Sequence, residues 1–108
     1  MDLLQPLPIV EKPWVSIFMD FISGFPKIEG MSSIMMVIDR FSNYAVFVPV
    51  PEVCPVEIAA DVFYRYVVKH FGLPSDIISD RDARFTERFW TYIFQLMGSE
   101  LKFSTSLN

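Results

Sequence analysis

A chain of 108 residues, 52% of them hydrophobic, is long enough for one domain with a real core and commits nearly all of its length to packing. A formal net charge of −4 and a pI near 4.8 argue against a protein that holds nucleic acid by a broad basic surface, because phosphate binding draws on clustered Lys and Arg. No apolar run reaches the roughly 18 residues a membrane span needs, and Met1-Asp2-Leu3-Leu4-Gln5-Pro6 lacks the basic start of a signal peptide, so a nuclear or cytoplasmic protein, neither secreted nor in a membrane, is expected.

Residues 1–13 alternate proline with apolar residues from Leu3 to Pro13 and read as an extended lead-in arm, ahead of the remainder of the chain, 14–108. Trp14 to Ile22 reads as a first strand covered on both sides, with Ser16, Phe18, Asp20 and Ile22 on one face and Val15, Ile17, Met19 and Phe21 on the other. Ser23-Gly24-Phe25-Pro26-Lys27 breaks it, and Ser33 to Ile38 returns antiparallel. After a turn at Asp39-Arg40-Phe41-Ser42-Asn43, Tyr44 to Val50 completes a three-stranded meander. Pro49 and Pro51 end it.

Pro55 to Phe71 reads as a helix, with Ala59, Val62, Phe63, Tyr66, Val67 and His70 at three- and four-residue spacings. Gly72 closes it, with Lys69 and His70 in the last turn, where the helix dipole favours cations. His70 is therefore a capping or surface residue rather than a ligand. The lone Cys54 has no disulfide partner, and one Cys with one His makes no zinc site. A short strand, Asp76 to Ser79, precedes an acidic loop; Thr86 suits the N-cap of a second helix from Glu87 to Met97, whose Phe89, Trp90, Ile93, Phe94 and Met97 form a core stripe. Gly98 ends that helix, and Glu100 to Ser104 alternates as a fifth strand.

The order β-β-β-α-β-α-β is an α/β layered arrangement with a five-stranded mixed sheet. Asp20 interrupts one apolar strand and Asp80 stops the apolar run Ile77-Ile78. Acids in such surroundings are costly unless a cation compensates them, which a divalent metal does well. The two meet only if the first and fourth strands are neighbours, which a right-handed crossover through the first helix provides. A hairpin turning near Lys27 and Ile28 places Asp39 opposite Ser16, roughly 13 Å from Asp20, and so assigns it to turn structure.

Trp14 to Ile22, Val37-Ile38-Asp39-Arg40-Phe41-Ser42, His70-Phe71-Gly72-Leu73-Pro74, and Ile78-Ser79-Asp80-Arg81-Asp82 with Phe85-Thr86 and Phe89-Trp90 together resemble the integrase catalytic core of Ty3/gypsy-type long-terminal-repeat retrotransposons. The resemblance runs from about Pro6 to Ser106 and implies that 14–108 is a partial integrase catalytic core. It implies a ribonuclease H-like fold and a polynucleotidyl transferase acting on DNA, with Mg²⁺ or Mn²⁺ held by two Asp and one Glu. By motif position Asp20 and Asp80 are the catalytic, metal-holding acids. The Glu of that family comes after a His-Pro-Gln-Thr-Asp-Gly segment beyond the position of Asn108, so the third ligand and the C-terminal helices are expected to be missing.

Asp82 has two readings, an acid that orders its own turn and an accessory ligand. Arg81 and Arg84, with Arg40, are loop cations available for phosphate. Two functions are consistent with these residues. One is a fragment of an integrase core, catalytically incompetent alone, with weak or absent metal binding and weak DNA binding. The other is a non-catalytic, retroelement-derived protein that acts through protein contacts, by self-association or with a partner.

Overall fold

A computed structural model describes residues 11–79 and 87–106, with side chains up to residue 101. The lead-in arm up to Val10 lies outside the described residues. The elements are β1 (Ser16–Ile28), β2 (Met31–Asp39), β3 (Ala45–Val50), α1 (Val56–Phe63), a π-helical turn (Tyr64–Val68), α2 (Lys69–Phe71), β4 (Asp76–Ile78) and α3 (Glu87–Ser106). The result is a mixed α/β fold on a four-stranded sheet of order β3-β2-β1-β4.

β1 does not stop at Ser23. It runs on through Gly24 and Pro26, and the hairpin turns at Glu29-Gly30, whose φ values of 53° and 83° are those of a two-residue type I′ turn. Between Ser23↔Ser33 and Ile28↔Met31 the pairing shifts, which is where a strand tolerates Pro26 without a ladder hydrogen bond. Nearer the core Ile17 faces Asp39 and Asp20 faces Met36. Asp39 is thus opposite Ile17 rather than Ser16: the turn beyond Ile28 would by itself pair it with Asp20, and the irregularity between Ser23 and Ile28 shifts the register back to Ile17.

Strand alternation divides the sheet. Ile17, Met19, Met35, Val37, Val48 and Val50 are buried on one face, under Ala59, Phe63 and Val67 of the first helix and Phe89 and Ile93 of α3. Phe63 and Phe89 meet edge to face at 5.4 Å. Cys54 is buried in this core, whereas His70 is exposed. The helical stripe centres on Ala59, Phe63 and Val67; Tyr66, at its margin, is 46% exposed. Phe94 likewise falls outside the core stripe of α3.

The expected fifth strand does not form: Gly98 and Glu100 to Ser104 continue α3. The four-residue spacing of Phe89, Ile93 and Met97 extends the helical period through Gly98, and it outweighs a short alternation of Leu101 and Phe103. Glu100 then pins α3 to the first helix by accepting a hydrogen bond from the Tyr64 hydroxyl and pairing with Lys69 at 3.5 Å. The Glu100 hydrogen bond pushes the Tyr64 phenol up to about 12.

Candidate functional site

Asp20 sits in β1, flanked by Met19 on the buried face and Phe21 half-buried beside it. That burial fixes the strand's register, since a slip of one residue would turn Asp20 into the core. Asp20 therefore lies on the other face, which no described helix covers, along with Phe18 and Ile22 of β1, Ile34, Met36 and Ile38 of β2, and Ala45, Phe47 and Pro49 of β3. The carboxylate is half-buried, and one oxygen, Oδ1, accepts the Phe21 N–H at 2.8 Å.

β4 runs parallel to β1 with Ser16↔Asp76, Ile17↔Ile77 and Phe18↔Ile78. The expected adjacency of first and fourth strands is present. Asp80, Arg81, Asp82 and Arg84 lie outside the described residues. Among the described residues no three of His, Cys, Asp and Glu gather to hold a metal. Asp20 does offer hard carboxylate oxygens at a half-open position, which suits Mg²⁺ or Mn²⁺, cations that keep several waters and take one or two carboxylates.

Asp39 has another task. Fully buried on the helix side of the sheet, it accepts hydrogen bonds from the Trp14 N–H (2.8 Å), the Phe41 N–H (3.3 Å), the Ser42 N–H (3.1 Å) and the Ser42 hydroxyl (2.7 Å). Burial alone would push its pKa up, but the Ser42 hydroxyl and the three N–H groups prevail and hold it below the ordinary 3.8. Its oxygens are committed to the turn, so the structural role expected for Asp39 is the one it has. Trp14, positioned in this way at φ 63°, stacks on Phe71 at 4.1 Å with Tyr44 at its edge.

Sequence alone underrates Arg40. It is half-buried rather than an exposed loop cation: its backbone N–H donates to the Ser16 carbonyl at 3.1 Å, its Nη1 donates to Ser16 Oγ at 2.9 Å, and the guanidinium carbon lies 5.6 Å from the Phe18 ring centre. The signal was present in the alternation, since Ser16, Phe18 and Asp20 share a face and Arg40 comes directly after a residue bound to the opposite one.

Among the described residues no helix is long and apolar enough to cross a membrane. No family model matches the chain. It is 39% identical over 101 residues, 94% of its length, to each of the transposon Tf2-3, Tf2-4 and Tf2-5 polyproteins of Schizosaccharomyces pombe. It spans 8% of the length of each of those relatives. Along nearly all of its length, then, this chain is related to one segment of the Ty3/gypsy-type Tf2 retrotransposon polyproteins.

Proposed function

We propose that the chain is part of an integrase catalytic core of ribonuclease H-like fold, a metal-dependent polynucleotidyl transferase acting in DNA integration, and that these residues alone neither cut nor join DNA. The observation that carries the reading is the parallel pairing of β4 with β1. It aligns Phe18 with Ile78, and in the sequence Asp20 follows Phe18, and Asp80 follows Ile78, by two residues. Asp20 and Asp80 would hold the metal, with Asp82 an accessory ligand and Arg81 and Arg84 phosphate contacts. Held there, a pair of such ions would supply activation of an attacking oxygen and stabilisation of a leaving one. The chain's own part is to hold the Asp20 carboxylate on an internal strand of the sheet, on the face that no described helix covers.

Two carboxylates leave an octahedral cation mostly in water, so binding is weak and the transition-state clamp is incomplete. Mn²⁺ titration followed by paramagnetic broadening of backbone amide signals tests this. Broadening centred on Met19 to Phe21, weak and lost in Asp20→Asn, is expected. Two ions held at micromolar affinity, or metal-dependent nicking of DNA that vanishes in Asp80→Asn, would show that the chain carries a complete site. A second reading, a non-catalytic protein acting through contacts, is favoured by the apolar open face of the sheet, where Phe18 and Ile22 are each 39% exposed and Phe47 is 58% exposed.

A further inference from the structure

Arg40 and Phe18 make a composed pair on the same face as Asp20. Asp39, buried on the opposite side, clamps the turn by accepting the N–H groups of Phe41 and Ser42, which leaves the next residue, Arg40, directed to the open face. The Arg40 main chain is tied to Ser16, and the guanidinium is tied to the Ser16 hydroxyl and laid beside the Phe18 ring. A guanidinium so held gives up little conformational freedom on meeting a ligand, and its planar fork matches phosphate oxygens in a way an ammonium does not.

Ser16, Phe18 and Asp20 are alternate residues of one strand rising about 3.3 Å per residue, so the guanidinium lies on the order of 7 to 13 Å from Asp20 along β1. Successive phosphates of one DNA strand rise about 3.4 Å along the helix axis but, winding around it, lie about 7 Å apart, which makes that interval roughly one to two nucleotides. We infer that Arg40, backed by Phe18 and Ser16, is a positioning residue that holds a phosphate of a DNA strand about one to two nucleotides from the phosphate at Asp20. This rests on the integrase reading of Asp20. The other contacts of Arg40 would be exchanged or shared when DNA arrives. Phe18, exposed beside the guanidinium, would pack on the intervening sugar or base.

The test is binding of a fluorescent DNA duplex to the full chain by anisotropy across a salt series, comparing wild type, Arg40→Ala, Arg40→Lys and Arg65→Ala, the last an exposed helix arginine paired with Asp61. Arg40→Ala should weaken binding roughly three- to tenfold and lower the salt slope by about 0.9, the mark of one phosphate contact. Arg40→Lys should restore the slope but not the full affinity, and Arg65→Ala should match wild type.

Because Arg40→Ala could loosen the turn, the Arg40 side-chain N–H signal of the wild type is monitored in the same titration and should shift with DNA. An unchanged signal, an unchanged slope in Arg40→Ala, or no binding by wild type would each overturn the inference. Mn²⁺ broadening at Asp20 is measured without DNA, so it tells failure of the Arg40 assignment from failure of the integrase reading.

Discussion

Asp20 and Asp39 occupy neighbouring strands of one sheet, yet the face to which each strand turns them separates their chemistry. Asp39 sits among four donors under the helices, and Asp20 lies on the uncovered side. Removing the Asp39 acceptor with Asp39→Ala takes away four part-buried hydrogen bonds, at about 0.5 to 1 kcal/mol each, so a total loss of about 2 to 4 kcal/mol is expected in urea unfolding. The pH dependence has a definite sign. The folded pKa is held below the ordinary 3.8, so this stabilisation is complete above 3.8 and is lost as the pH falls below it through the depressed value. Wild type should lose stability across that acid window more steeply than Asp39→Asn, which has no charge to titrate there.

At the scale of elements, two glycines distinguish a turn from a helix that ignores its own breaker. Gly30 has φ 83° in the β1–β2 turn, where a Cβ is strained, and Gly30→Ala should cost roughly 1 to 2 kcal/mol. Gly98 lies inside α3, and a Cβ added there meets nothing within 4 Å. Gly98→Ala should therefore stabilise by about 0.5 to 1 kcal/mol, read as a raised urea midpoint with an unchanged slope. A helix ending at Gly98, as the local sequence suggests, would show no such gain. The difference lies two residues beyond the glycine, where Glu100 anchors to Tyr64 and Lys69 on the first helix, and those contacts carry α3 past the weak point.

At the scale of the whole molecule, the described helices cover one side of the sheet. Helices bury Ile17, Met19, Met35 and Val37, while Phe18, Ile22 and Phe47 on the opposite side stay exposed to water. Contiguous apolar patches above about 300 to 600 Å² usually find a partner. Sedimentation at tens of micromolar should accordingly show concentration-dependent association, reduced in Phe18→Ser/Phe47→Ser; a stable monomer that melts cooperatively and ignores those changes would mean that the open face is tolerated as it stands.

The sequence by itself determined most of the element list and the sides of the strands. The alternation from Ser16 to Ile22 placed Asp20 opposite Met19, and helical spacing identified Ala59, Phe63 and Val67, because burial selects residue type at every second or every third to fourth position. The β1–β4 adjacency also came from connection handedness alone. Tertiary structure decided where elements end and how they register: the tip of the first hairpin, the pairing of Asp39 with Ile17, and the fate of Glu100 to Ser104. Ends and register depend on small local preferences, such as those of Gly24, Pro26 and Gly98, which contacts distant in sequence override. The same holds for Arg40, whose place beside Phe18 is fixed by Ser16, 24 residues earlier in the chain.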